Sequence, residues 1–259
     1  MAHILCIHAH PDDAEILAGG TLALLSELGH SIAIVTMTPG DCGSADRSAD
    51  DISHIRRREA ADAAVLIGAD YRCAEFRDLA IFNTDDARRR VTEIIRRARP
   101  DLVITAAPVD YHCDHEATSV LVRDACFAAS APNYRTSSSD PAAALSAIPH
   151  LYFVDSVAGI NRFGFVTEPE FVVDVSSAMD VKKRMLAAHA SQREWLRRQH
   201  GIDDYIPTME KWTRERGSIV GVDYGEGFRR YAGHPYPQTS LLEELLGGRV
   251  FIHTPVSAR

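Results

Sequence analysis

No run of 18 or more apolar residues occurs in this chain, so no membrane-spanning helix is expected. The amino terminus, MAHILCIHAH, lacks a basic opening stretch and a small-residue cleavage site. It is read as a strand rather than a signal peptide, and a cytoplasmic location is expected. The five cysteines (Cys6, Cys42, Cys73, Cys113 and Cys126) are odd in number, scattered, and without a C-x-x-C pair. That pattern suits a reducing compartment and offers no disulfide framework. A basic excess is also missing: 28 Lys and Arg face 36 Asp and Glu, for a formal net charge of −8. A nucleic-acid binder needs the opposite balance to neutralise phosphates. Lysine itself is scarce, with three residues in the whole chain, which reads as a compositional preference for arginine. No internal repeat is present. What remains is ordinary for a globular protein, with 46% hydrophobic and 25% charged residues, and collagen-like or disordered readings fall away. A length of 259 residues suits one domain with an appended C-terminal part.

The hydrophobic pattern alternates between two periods. Residues 3–8 form a short apolar run, the mark of a buried strand, and Pro11 with the following aspartates breaks it. Residues 14–28 carry apolar positions at helical spacing and stop at Gly29. Residues 31–37 predict a second strand, 52–68 a helix, 71–76 a weak strand and 85–97 an Arg-rich amphipathic helix ending before Pro100. Residues 101–107 and 115–130 predict a fourth strand and a fourth helix. Such alternation gives βαβ units, hence a Rossmann-like α/β fold with a mostly parallel sheet flanked by helices. A loop is expected over 130–149, strands over 151–157 and 171–175, and one long helix over 178–200. The rest is read as an irregular C-terminal extension. The expected organisation is one domain over 1–259, with residues 1–130 as the core that carries the chemistry.

In open parallel sheets, ligands sit beyond the carboxyl ends of the strands. Two clusters fall there: His10-Pro11-Asp12-Asp13 after the first strand, and Tyr111-His112-Cys113-Asp114-His115 after the fourth. A lone histidine or aspartate at a strand end is ordinarily a cap or a surface residue. Two clusters at one sheet edge weigh against that reading. Imidazole with one carboxylate suits Zn²⁺ or Fe²⁺, whereas carboxylates alone suit Mg²⁺ or Ca²⁺. A catalytic zinc needs three protein ligands and a position for water. His10, Asp13 and His115 would supply the three, leaving Asp12 beside the water.

The His10-Pro11-Asp12-Asp13 piece, followed by Gly19-Gly20-Thr21-Leu22, resembles the LmbE-like (PIG-L) family of zinc-dependent N-acetylglucosaminyl deacetylases. Further pieces match in order: Val35-Thr36 with Gly40, Arg56 with Glu59-Ala60, Arg99-Pro100-Asp101, and His112-x-Asp114-His115. Lys183, Ala187, His189, Ser191 and Gln192 follow, then Glu226-Gly227-Phe228. The resemblance implies one Zn²⁺ per chain, with Fe²⁺ open, held by His10, Asp13 and His115. It implies Asp12 as the general base. His112 is implied to stabilise the oxyanion or protonate the leaving amine, with Asp114 holding that imidazole charged. Arg56 and Asp78 are implied to contact the sugar. The chain departs from the family at Arg77-Asp78-Leu79, where Pro-Asp-Gly is usual, and at Cys113, where proline is usual.

The implied reaction is removal of an N-acetyl group from an N-acetylglucosamine-containing small molecule. Its alternatives are an amidase of a glucosamine-containing thiol conjugate and an iron(II) oxygenase, whose facial triad also uses two His and a carboxylate. A dinucleotide-binding reading fails because the first turn lacks G-x-G-x-x-G. The expected partners are an acetylated amino sugar and further copies of the chain, with His234 as a residue that can enter a site from a C-terminal or neighbouring loop. His189 and Gln192 are read as tying the late helix to the core. Trp195 and Trp212 are read as packing, with a sugar-stacking role as the alternative.

Overall fold

The computed structural model describes residues 1–201 and 203–253. The chain opens with β1 (His3–His8), α1 (Asp13–Glu27), β2 (Ser31–Thr36), α2 (Ala49–Val65) and β3 (Asp70–Cys73). It continues through α3 (Asp85–Ala98), β4 (Leu102–Thr105), α4 (Cys113–Ala129) and β5 (His150–Val154). Then come β6 (Phe171–Asp174), α5 (Met179–Ala187), α6 (Ala190–His200), α7 (Tyr205–Val220), β7 (Gly225–Arg230), α8 (Leu241–Leu246) and β8 (Val250–Ile252). All eight strands join one sheet in the order β3-β2-β1-β4-β5-β7-β6-β8. The ladders from β3 to β5 are parallel, and those linking β5, β7, β6 and β8 are antiparallel.

Side chains alternate along each strand, so β1 feeds two cores. Ile4 and Cys6 pack with Ala18 and Leu22 of α1, Ala63 of α2 and Met185 of α5. Leu5 and Ile7 pack with Val91 and Ile95 of α3 and Leu121 and Val122 of α4. Burial on both faces explains why these strands read as continuous apolar runs. The strand order reverses direction at β1 and β4, and the turns that carry the two His/Asp clusters leave the sheet at this switch point.

Three C-terminal features differ from the sequence reading. The helix expected over 178–200 is two helices, broken at Ala188 and His189, where His189 turns out of helical geometry with ψ 60°. The stretch read as irregular holds the 16-residue α7. Pro207 in its first turn and Gly217 near its end mask the pattern, yet a proline costs little before the first intrahelical N–H is needed. The same stretch holds β7, whose sequence GEGFRR carries little strand signal.

β7 enters the sheet because Glu226 is anchored beneath α1. Its carboxylate accepts the Gly20 and Thr21 amides, both at 2.8 Å, and Lys182 Nζ at 2.5 Å. A Cβ at Gly20 would sit 2.7 Å from Val175 and 3.1 Å from Glu226 Oε1, so only glycine allows this approach. Lys182 and Glu226 are both fully buried, at 1% and 2% side-chain exposure. Glu226→Ala would strand the Lys182 ammonium, and a loss of about 3–5 kcal/mol in stability is expected, read by urea denaturation.

Candidate active site

The turn between β1 and α1 carries the first cluster. Asp12 has φ +99°, in the left-handed region that non-glycine residues avoid, at a cost of about 1–3 kcal/mol. This conformation sends neighbouring carboxylates in different directions. Asp13 begins α1 and points back, accepting the His10 amide on Oδ2 at 2.8 Å. Asp12 points to the other side, where Tyr205 donates its hydroxyl to Oδ2 at 2.5 Å.

The turn after β4 brings the second cluster against the first. Asp13 Oδ1 lies 3.4 Å from His115 Nε2, and Asp13 Oδ2 lies 3.5 Å from His10 Nδ1. Each imidazole is held at its other nitrogen by a carboxylate. His115 Nδ1 meets Asp110 Oδ1 at 2.9 Å, and His10 Nε2 meets Asp114 Oδ2 at 3.2 Å. Carboxylates placed behind histidines fix the ring and tautomer of metal ligands. Asp110 was not singled out in the sequence, because one aspartate immediately before the cluster carries no spacing signal.

The electrostatics test whether a cation fits. Burial pulls His10 down, but Asp114 and Asp13 more than compensate and carry it up to about 9. Burial opposes His115 likewise, and Asp13 with Asp110 raises it to about 10. Burial alone would lift Asp13, yet His115 and His10 hold it well below the usual carboxylate range. Three carboxylates therefore call for two positive charges around Asp13, the charge of one divalent ion. The donor set of two imidazoles and one carboxylate fits zinc or iron(II). His10, His112 and His115 also place ring nitrogens within 4.8 Å of one another.

Asp114 takes a different position from the one expected. Its carboxylate serves His10 and accepts the Leu79 amide at 2.7 Å, while its own amide donates to His112 Nδ1 at 3.2 Å. His112 is the N-cap of α4, and that geometry fixes the contact. A ring nitrogen that accepts a hydrogen bond carries no proton, so neutral His112 is a donor through Nε2. Burial and the charges of His10 and His115 lower its pKa, against the opposing pull of Asp114 and Asp13. The expected Asp114 carboxylate–His112 pair is thus replaced by a backbone cap.

Arg56 is buried, at 3% exposure, and donates to the carbonyls of Pro11 at 3.0 Å and Gly40 at 3.4 Å. Its guanidinium opposes the burial that raises Asp12, whose pKa still stands at about 6. Asp78 accepts the Cys42 amide on Oδ2 at 3.0 Å, and its Oδ1 is buried without a hydrogen-bond partner. His10, Asp12, Asp13, Arg56, Asp78, His112 and His115 line one cavity of about 430 Å³, together with Tyr205, Gln192, Trp195 and Trp212. His189 does not: it is fully buried beside Glu15, at 3.3 Å, as the sequence reading has it. His234 lies in a separate surface cavity of the same chain with Tyr231 and Tyr236. A larger groove of about 930 Å³ runs from the amino ends of β1–β3 at His3, Ser31 and Asp70. It spreads along α3 as far as Cys73 and Ala74 and contains no residue of either cluster, so size does not identify the site.

Among the described residues, no helix is long and apolar enough to cross a membrane. The model of the GlcNAc-PI de-N-acetylase (PIG-L) family matches residues 5–126, which include both clusters. The diacetylchitobiose deacetylase of Thermococcus kodakarensis is 30% identical over 236 residues, covering 89% of this chain and 83% of that protein. The 1D-myo-inositol 2-acetamido-2-deoxy-alpha-D-glucopyranoside deacetylase 2 of Saccharopolyspora erythraea is 29% identical, covering 77% and 84%. Among solved structures, the N,N'-diacetylchitobiose deacetylase of Pyrococcus horikoshii superposes with a TM-score of 0.72 at 27% identity, covering 93% and 89%.

Proposed function

The chain belongs to the PIG-L family, and from that premise we propose that it is a single-domain, metal-dependent hydrolase of N-acetylglucosamine-containing small molecules, releasing acetate and the free amine. The observation that carries this reading is the facing of Asp13 between His10 and His115, with Asp12 turned into the same cavity. His10, Asp13 and His115 would hold the ion, zinc in the first instance. A divalent ion supplies an activated water and a polarised amide carbonyl.

The remaining work falls to protein groups. Asp12 takes a proton from the attacking water. Tyr205 occupies Asp12 Oδ2, which leaves Oδ1 as the working oxygen. His112 offers its Nε2 proton to the developing oxyanion, the usual task of a preorganised donor. Asp12, once protonated, is the acid that returns the proton to the departing nitrogen. Asp110 and Asp114 act through His115 and His10 as positioning residues. Asp78 Oδ1, 4.0 Å from His10 Nε2 and without a hydrogen bond, is placed to accept from a sugar hydroxyl. Arg56 faces the cavity but holds Pro11 and Gly40, so it orders the Asp12 turn as well as the substrate pocket.

Tyr205→Phe removes one hydrogen bond to a buried carboxylate, worth ~1.5–3 kcal/mol. The variant is expected to lower kcat by roughly 10–100-fold with KM nearly unchanged. A raised KM with kcat unchanged would place Tyr205 in substrate binding instead. The reaction itself is tested by incubating metal-loaded protein with a panel of N-acetylglucosamine conjugates and assaying free amine. Release from at least one conjugate is expected. Oxygen consumption with a 2-oxo acid in place of amine release would point to the iron(II) alternative.

A further inference from the structure

The hydrogen bonds behind His115 do not end at Asp110. Asp110 is buried, and both its carboxylate and its amide are engaged. Its Oδ1 meets His115 Nδ1 at 2.9 Å and accepts the His112 amide at 3.1 Å. Its Oδ2 accepts the Val157 amide at 3.1 Å, and its own amide donates to Glu116 Oε1 at 2.9 Å. Glu116 follows His115 in the first turn of α4, and its Oε2 accepts a hydrogen bond from Arg162 Nη1. One residue before Asp110, the Val109 carbonyl accepts from Ser156 Oγ at 2.7 Å.

Ser156, Val157 and Arg162 belong to one hairpin, residues 156–167, between β5 and β6. Its shape is fixed by its own bonds. Ile160 and Val166 pair across it as an antiparallel bridge, and Asn161 Oδ1 accepts the Phe163 and Phe165 amides at 2.9 and 3.1 Å. Its base is tied to α7, where Arg216 donates to the Thr167 carbonyl at 2.8 Å. The hairpin therefore grips the Asp110 carboxylate directly and, through Arg162 and Glu116, the Asp110 amide. A buried carboxylate held from both sides has one place to lie, and a metal ligand works only when held within about 0.5 Å of its place.

Resting on the assignment of His115 as a metal ligand, we propose that Glu116 is a positioning residue for the metal centre: together with the hairpin of residues 156–167 it fixes Asp110, and through Asp110 the ring of His115. Arg162 is the outer member of this chain and steers Glu116. Neither Glu116 nor Arg162 lines the cavity, so both act without touching substrate.

The test compares Glu116→Ala, Glu116→Gln and Arg162→Ala with the wild-type protein. Glutamine keeps an oxygen for the Asp110 amide, and alanine does not. Affinity for Zn²⁺, read by competition with a chelator, is expected to fall about tenfold in Glu116→Ala, the low end of what losing support behind a metal ligand costs. Glu116→Gln is expected to recover most of that loss. Arg162 is half-exposed, so Arg162→Ala is expected to cost less than about threefold. At saturating Zn²⁺, KM is expected to stay unchanged in all three. A second readout needs neither ion nor turnover. The His115 Nδ1 proton, assigned by proton NMR as the low-field imidazole resonance lost in His115→Ala, is expected to shift and broaden in Glu116→Ala and to return in Glu116→Gln. Unchanged zinc affinity in Glu116→Ala would overturn the proposal. Equal losses in Glu116→Ala and Glu116→Gln would overturn it too, because they would trace the effect to charge rather than to the bond with Asp110. Zinc affinity that survives His115→Ala would instead fail the metal assignment, and the resonance would then decide the hold on His115 by itself.

Discussion

Asp12→Asn is expected to retain its divalent ion and to lose roughly 10²–10⁴-fold in kcat/KM, the usual contribution of a general base. The substitution keeps the size of the side chain and removes its basicity. Asp12 is not one of the groups facing Asp13: its turn, at φ +99°, sends its carboxylate to Tyr205. Metal content and catalysis therefore separate in this variant. Burial raises Asp12 to about 6, against the pull of Arg56. A base works only when deprotonated, so wild-type activity is expected to rise as pH increases through about 6. Asp12→Asn should lack that acidic limb. No basic limb from an imidazolium His112 is expected, because the Asp114 amide donates to His112 Nδ1. Near-normal activity with an intact acidic limb would return Asp12 to the role of a strained turn residue.

His10→Ala, Asp13→Ala and His115→Ala are each expected to lose the bound ion and, with it, all measurable hydrolysis. Only three protein ligands serve a catalytic zinc, so each removal leaves two. The carboxylates behind the imidazoles should matter less, by a predictable step. Asp110→Asn and Asp114→Asn weaken the hold on His115 and His10, and metal affinity is expected to fall about 10–100-fold in each. Metal content by mass spectrometry, with titration against a chelator, reads both steps. If Asp114→Asn keeps full metal affinity while losing activity, Asp114 acts on the substrate side and its contact with His10 is incidental.

The core strands and the ligand turns were legible for one physical reason. β1, β2 and β4 are buried on both faces, so they print as apolar runs, and the Pro11 turn and the His112 cap interrupt them sharply. The residues proposed to hold the metal sit within those short turns, close in sequence and in space. What could not be read depends on long-range contacts. Tyr205 reaches Asp12 across 193 residues, and nothing local marks it. β7 forms because Glu226 meets α1 amides and Lys182, a set of partners that the string GEGFRR does not display. Asp114 stands two residues from His112, which suggests a pair. The start of α4 instead turns its carboxylate toward the end of β1 and its amide toward His112.

In the proposed reaction, water attacks an acetamido carbonyl beside the His10–Asp13–His115 cluster. The direct measurement is hydrolysis of N,N'-diacetylchitobiose by metal-loaded enzyme in ¹⁸O-enriched water, with acetate and free amine quantified together. Equimolar acetate and amine are predicted, the acetate carrying one heavy oxygen, with both formed roughly 10²-fold or more slowly by Asp12→Asn. Acetate without the label, or an intact amide after exhaustive incubation with every conjugate of the panel, would contradict it.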